Sequence, residues 1–251
     1  MSHPQMAPDD AHNRALIQQT HPHDLINPTP KDRYHLVVIG AGTAGLTAAA
    51  GCAAIGGRVA LIERHLTGGD CLVTGCVPSK ALIASARVAA MGRQAAAYGV
   101  RVADAPTVDF AAVMERMRRL RAQISPNDSV HRLKAMGIDV FLGAARFVAP
   151  DAIEVNGARL QFSRSVIASG ARASLPPIPG LKSLSFLTNE TLFELTALPA
   201  RFAMLGAGPI GCEMAQTFQR FGSQVTLIDV APRVLIREDQ DAAAVVQRAM
   251  Q

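Results

Sequence analysis

Two cysteines five positions apart, Cys71 and Cys76, lie in the run Gly68-Gly69-Asp70-Cys71-Leu72-Val73-Thr74-Gly75-Cys76-Val77-Pro78-Ser79-Lys80. A C-x4-C spacing suits two buried thiols or half of a metal site. No second cysteine pair or nearby histidine completes a zinc set, because Cys52 and Cys212 fall inside apolar helical segments and read as small core residues. Pro78 marks a first helical turn, and the Ala-rich run behind it places Cys76 near a helix N-terminus, where a thiolate is favoured. Lys80 adds a positive charge close by. These features favour reactive thiols over passive ones.

Two glycine-rich turns flank the cysteines. Gly40-Ala41-Gly42-Thr43-Ala44-Gly45 follows the strand-like run YHLVVI and opens a helix, and Glu63 ends the next strand. The glycines permit a tight turn, backbone approach to a pyrophosphate and close helix packing, while the helix N-terminus faces the phosphates. An acid about 20 residues on is placed to bond a ribose hydroxyl. The same grammar returns at Gly206-Ala207-Gly208-Pro209-Ile210-Gly211, after FAML and before QVTLI, which ends in Asp229. Two fingerprints imply two dinucleotides, a combination pointing to FAD and NAD(P)H. Asp229 at the ribose position favours NAD over NADP, with Arg233 nearby leaving room for a 2′-phosphate.

The elements needed to hold these groups follow from periodicity. Strands are expected at about 34–39 and 58–62 around a helix at 43–56, helices at 78–97 and 109–123, and short β-runs between Ile138 and Ala168 with turns at Pro150-Asp151 and Asn156-Gly157. A strand at 202–205, a helix at 209–221, a strand at 224–228 and a helix beginning near Asp239 or Asp241 complete the pattern. The basic block RMRRLRAQI reads as a solvated helix face. Residues 1–33 hold five of the 15 prolines and four of the seven histidines and read as an extended arm. The spacing of His3, His12, His21 and His23 matches no metal-ligand pattern. The Pro-rich stretch Leu175 to Gly180 is the best domain boundary, giving a tail at 1–33, an FAD-binding domain at 34–180 and the first half of an NAD(P)-binding domain at 181–251. The fold class is α/β, with two Rossmann-like domains, the second having too few strands.

Composition removes other classes. Of 251 residues, 49% are hydrophobic and 18% charged, enough for a buried core and too apolar for a disordered chain. The net charge of +5 is scattered apart from one cluster, and aromatics are 4% with no tryptophan, so neither nucleic acid nor a membrane is expected as a partner. The uncharged run from Leu36 to Gly57 has the length of a membrane span, but its glycines divide it into strand, helix and strand. Four cysteines make no secreted disulfide scaffold, the N-terminus lacks a leader-like apolar stretch, and a cytoplasmic location is expected.

GGDCLVTGCVPSK between two dinucleotide fingerprints resembles the active-site segment of the class I pyridine nucleotide-disulfide oxidoreductases, from about Tyr34 to Gln251. The phrase GGDC…TGCVPSKAL, with Asp70 where threonine is usual, is most similar to the mercuric-reductase-like branch. The resemblance implies that Cys71 is the interchange thiol that meets the acceptor, and that Cys76 lies against the flavin and can form a charge-transfer thiolate. It implies that Lys80 approaches the flavin N5 region as a buried cation paired with Glu213, and that Ser169 and Gly170 lie where the chain passes the FAD. Gly69 and Asp70 join the cofactor-binding set with Gly40, Gly42, Gly45, Glu63, Gly206, Gly208, Gly211 and Asp229. The acceptor implied is a small-molecule disulfide or a metal ion of mercuric type, and the full-length family member is expected to be a homodimer. The family's FAD-return segment and its His-Glu acid/base pair are absent from these 251 residues, which alone are expected to be inactive. Alternatives are a dihydrolipoamide dehydrogenase-like enzyme, a non-catalytic truncated nucleotide-binding remnant, or a flavin NADH oxidase in which Cys71 and Cys76 are passive.

Overall fold

A computed structural model describes residues 4–104 and 106–250; His3 lies outside them. The chain divides into two compact units, one of residues up to 78 with 118–194, the other of 79–117 with residues from 195 onward.

In the first unit a helix, α1 (Ala11–Thr20), precedes strand β1 (Tyr34–Ile39), helix α2 (Thr43–Ala54) and strand β2 (Val59–Glu63). A short helix α3 (Gly69–Val73) follows, and α4 (Cys76–Gln94) begins at the second cysteine. The rest of α4 and the start of α5 (Phe110–Ile124), residues 79–117, belong to the second unit; the first resumes at Arg118 and continues with α6 (Val130–Ala135), β3 (Asp139–Leu142), β4 (Ala145–Ala149), β5 (Ala152–Val155), β6 (Ala158–Ile167) and the short helix α7 (Asn189–Leu192). The six strands form one sheet in the order β3-β2-β1-β6-β5-β4, with β3, β2, β1 and β6 parallel and the rest an antiparallel meander. The two runs expected at RLQF and SVIAS are one strand, whose first half pairs with β5 and whose second half pairs with β1. Asn156 and Gly157, both with positive φ, make the two-residue turn before it.

Alternation along β1 and β2 sorts the core into two faces. Val38 and Leu61 pack with Ala49 of α2 and with Val130 and Leu133 of α6, whereas Val37, Ala60 and Ile62 pack with Phe141, Ile153 and Phe162. The candidate membrane run, Leu36 to Gly57, is thus resolved as most of β1, the helix α2 and the turn that precedes β2. Among the described residues one helical stretch, Gly69–Tyr98, is long and apolar enough by length and composition to cross a bilayer.

Two expectations fail in this unit. Over residues 4–33 the chain is not an extended arm: α1 is capped by the Asp10 carboxylate, which accepts the Asn13 amide at 2.8 Å, and it buries Asn13, Leu16, Ile17 and Thr20. Those four positions carry helical spacing that was masked by the prolines on either side, and a ten-residue helix is marginal in water without such tertiary packing. Nor is the basic block a solvated face, since Arg118 and Arg121 are 8% and 1% exposed. Charge alone could not reveal this, because their partners, the half-buried Asp10 and the buried Asn13, lie more than a hundred residues away.

In the second unit β7 (Arg201–Leu205) and β8 (Gln224–Ile228) pair in parallel on either side of α8 (Pro209–Phe221), and α9 (Gln240–Met250) follows. Helix α8 buries Cys212, Met214, Ala215, Phe218 and Phe221. Phe218 stacks on Phe202 of β7 at 4.6 Å and meets Phe110 at 6.0 Å. One face of this two-stranded sheet is half-buried, and Leu205 and Ile228 on the alternate positions are exposed.

Candidate functional site

The first glycine turn is shaped by backbone contact. Gly40 has φ +101°, and a Cβ there would lie 2.2 Å from the Ala168 carbonyl oxygen. A Cβ on Gly45 would lie 1.8 Å from the Gly40 carbonyl oxygen, so the opening turn of α2 packs directly on the end of β1. Gly42 is different: a Cβ there would meet only the Gly69 Cα at 3.8 Å, and no side chain caps the amides of α2's first turn. An open surface of uncapped amides at a helix N-terminus fits a phosphate group. Glu63 braces this turn, its Oε2 accepting the Ala41 amide at 2.7 Å and its Oε1 the His65 amide at 2.8 Å.

The second glycine turn repeats the geometry. Gly206 also has φ +101°, and a Cβ on Gly211 would again lie 1.8 Å from the carbonyl oxygen of the first glycine. Gly208 is open, and α8 has no side-chain cap and carries Pro209 in its first turn. Asp229 accepts the Ala207 amide at 2.5 Å and the Ala231 amide at 2.7 Å, and these backbone bonds hold its carboxyl below the usual range.

The structure brings the cysteine segment onto the first turn. Gly69 touches Gly42 so closely that a Cβ on Gly69 would lie 2.6 Å from the Gly42 Cα. Cys71 lies in α3 and hydrogen-bonds both Cys76 and the hydroxyl of Thr43, the first residue of α2. Burial pushes the Cys71 thiol up, and the Cys76 sulfur pushes it further the same way. The pair is present as thiols, with Cys76 exposed. Asp70 accepts a hydrogen bond from the Thr74 hydroxyl at 3.3 Å and closes the end of α3. Ser169 and Gly170 follow Ala168, whose amide is bonded to the Ile39 carbonyl at 2.8 Å, so this stretch also runs beside Gly40.

In the second unit Lys80 Nζ lies 2.8 and 2.7 Å from the two carboxylate oxygens of Glu213. The pair is not the buried one expected: its side chains are 60% and 40% exposed. In that setting it contributes about 0–1 kcal/mol to stability and serves chiefly to orient the ammonium group.

Asp128 escaped the sequence reading. Its carboxylate Oδ2 lies 3.1 Å from where a Gly68 Cβ would sit, its charge helps push the Cys71 thiol up, and burial raises its own carboxyl. The Thr67 hydroxyl donates to its main-chain oxygen at 2.5 Å. Its only sequence signal was an acid after a proline, in SPND, far along the chain from either cysteine.

The family model described as pyridine nucleotide-disulphide oxidoreductase matches residues 34–251. A mercuric reductase of Lysinibacillus sphaericus is 34% identical over 226 residues, 90% of this chain and 41% of that protein. A dihydrolipoyl dehydrogenase of Acholeplasma laidlawii is 32% identical over 83% of this chain and 63% of its own length. Among solved structures, the Cu(II) complex of the HOCl-induced flavoprotein disulfide reductase RclA from Escherichia coli superposes with a TM-score of 0.72 at 32% identity, over 86% of this chain and 46% of that one. The chain therefore spans less than two thirds of each of these three proteins. Members of the matched family use FAD and NAD(P)H. Two glycine turns of one geometry, a thiol pair seated on the first of them, and a family match from the first strand onward agree: the chain belongs to the pyridine nucleotide-disulphide oxidoreductases.

Proposed function

We propose that this chain carries the FAD-binding part, residues 34–180, and the opening of the NAD(P)-binding part, residues 181–251, of a cytoplasmic reductase whose electrons leave through Cys71 and Cys76 to a disulfide or a mercuric-type metal ion. The observation that carries this reading is the thiol pair at the mouth of the first glycine turn, where Cys71 hydrogen-bonds both Cys76 and Thr43. The open amides around Gly42, the brace at Glu63, and residues 168–170 fit the pyrophosphate and ribose of FAD, which when bound would relay electrons between nicotinamide and dithiol. Cys71, its thiol held protonated by burial, is the group that meets the acceptor, and Cys76 starts the long helix at its positive end. Lys80, oriented by Glu213, supplies a positive charge one turn further along that helix. The test is the full-length protein reconstituted with FAD. Two-electron reduction should give a long-wavelength band that vanishes in Cys76→Ser, and failure to retain flavin would overturn the reading.

The second glycine turn favours NADH over NADPH. Arg233, the one residue that invited a 2′-phosphate, spends its guanidinium on its own loop, donating to the carbonyls of Val234, Leu235, Ile236 and Glu238 at 2.8–3.3 Å. Asp229 remains ionised beside the position of the ribose hydroxyls and would repel a phosphate there. Titration of the full-length protein should show NADH bound at least about tenfold more tightly than NADPH, with the gap narrowing in Asp229→Ser. Equal affinities would remove this preference.

A further inference from the structure

The helix α1 lies outside the span matched by the family, yet it is tied to both sides of Cys71. On the upstream side, the Thr20 carbonyl accepts from the Thr67 amide at 3.2 Å and lies 3.2 Å from the Thr67 hydroxyl, and the ring Nδ1 of His21, which follows the helix, meets the His65 carbonyl. On the downstream side, Arg121 Nη1 donates to the Val73 carbonyl, at the end of α3, at 2.6 Å, while its Nη2 donates to the Asn13 side chain at 2.8 Å. Between these ties Leu16 and Ile17 pack on Leu66, Leu72 and Val73. Asp10 at the helix N-terminus holds Arg118 at 2.5 Å. The nine residues 65–73, with Cys71 among them, are therefore clamped at each end and along their buried side by one ten-residue helix.

We propose that α1 is a clamp that positions Cys71 against Cys76, with Asn13 and Arg121 as its positioning residues. The inference rests on the reading of Cys71 and Cys76 as the redox pair. Closing the disulfide requires the two sulfurs to approach bond distance in a narrow geometry, and a segment fixed at residues 65–67 and at 73 has little freedom to drift from it. Arg121 is fully enclosed and stays charged, with burial pulling it down to about 10. Among the described residues, the buried side-chain nitrogens and oxygens without a partner are Arg118 Nη1 and Arg121 Nε. Both belong to this seam, which leans on Asp10 and Asn13 because it has no surplus acceptors. Loss of the clamp shifts the equilibrium in which the two thiols and oxidised glutathione give the Cys71-Cys76 disulfide and two reduced glutathiones, a two-electron, two-proton exchange balanced on both sides.

The test uses the full-length protein with three changes: Leu16→Ala with Ile17→Ala, Asn13→Ala, and Asn13→Asp, which keeps an acceptor for Arg121. Hydrogen exchange is followed at residues 66–74 and in the strands 36–39 and 59–63, together with the alkylation rate of Cys71 by iodoacetamide and the equilibrium with glutathione. The double variant should lose about tenfold or more of the protection at 66–74, alkylate Cys71 several-fold faster, and shift the glutathione equilibrium, with the strands still protected. Asn13→Ala should do the same to a smaller degree, and Asn13→Asp, which keeps the acceptor for Arg121 but loses the donor to the Pro8 carbonyl, should lie closer to wild type than Asn13→Ala. Unchanged alkylation and equilibrium once protection of 11–20 is lost would overturn the clamp. Loss of strand protection in the double variant together with wild-type behaviour of Asn13→Ala would overturn it too, making α1 a general structural support. If the cysteines prove redox-inactive, the exchange at 66–74 still reports the clamp, so the two readings fail separately.

Discussion

The two glycine turns share one local geometry and differ in what surrounds them. Each opens with a glycine at φ +101°, packs its third glycine 1.8 Å (as a virtual Cβ) from the first glycine's carbonyl, and is braced by a carboxylate 22 residues beyond the amide it accepts. Around the first, β1 is flanked by β2 and β6, Ala168 presses on Gly40, and Gly69 presses on Gly42. Around the second, β7 pairs only with β8 among the described residues, and a Cβ on Gly206 or Gly208 would meet nothing within 4 Å. The difference separates two roles for glycine. The third position is required by the turn itself, the second is open in both turns, and the first is crowded only where a neighbouring segment has been brought in.

The largest effect should therefore be shared by both turns. Gly45→Ala and Gly211→Ala each drive a methyl into backbone that cannot swing aside, and each should cost about 3 kcal/mol or more in denaturant unfolding. A mild effect at either site would break the equivalence. The next effect should separate the turns. Gly40→Ala combines positive-φ strain with the Ala168 clash and should cost about 2–4 kcal/mol, while Gly206→Ala bears the strain alone, about 1–2 kcal/mol. Equal costs would show that the surroundings of the first turn are irrelevant.

A smaller effect concerns the thiol that only the first turn possesses. Removing the negative neighbour in Asp128→Asn should favour the Cys71 thiolate, moving the midpoint of its alkylation rate to lower pH, from a wild-type value above the ordinary 9.0. A midpoint that stays put would remove Asp128 from the site. The smallest lies in the second turn. The Asp229 carboxyl is lower in the folded protein than its ordinary 3.8, so it stabilises the turn above that pH and loses its contribution as pH falls through the folded value. NMR titration of Asp229 should give a midpoint below 3.8, and one at or above it would mean that the Ala207 and Ala231 amides are not bound in solution.

What could be read from the residues was what neighbours in sequence dictate. The strand, glycine turn, helix and terminal acid of each fingerprint follow from periodicity and from the φ that glycine alone tolerates, and Cys76 does begin its helix. What escaped was set across distance. Arg121 looked like a surface cation because Asn13 is 108 positions away, and α1 looked like linker because its buried face is completed by Leu66 and Leu72. The family resemblance implied a buried Lys80 paired with Glu213; the pair forms, while its solvent exposure depends on packing that no local pattern encodes.

Strand β6 imposes a timetable on synthesis. Its first half closes on β5 across the Asn156-Gly157 turn as soon as both leave the ribosome, but its second half is the neighbour of β1, with Tyr34 opposite Phe162. At roughly 5–20 residues per second, the β1 edge waits on the order of ten seconds for its partner. During that interval Leu36, Val37 and Val38 present an open, apolar edge of the kind that recruits other chains. Until residue 167 emerges, that edge of the nascent sheet lacks the neighbour it has in the finished fold.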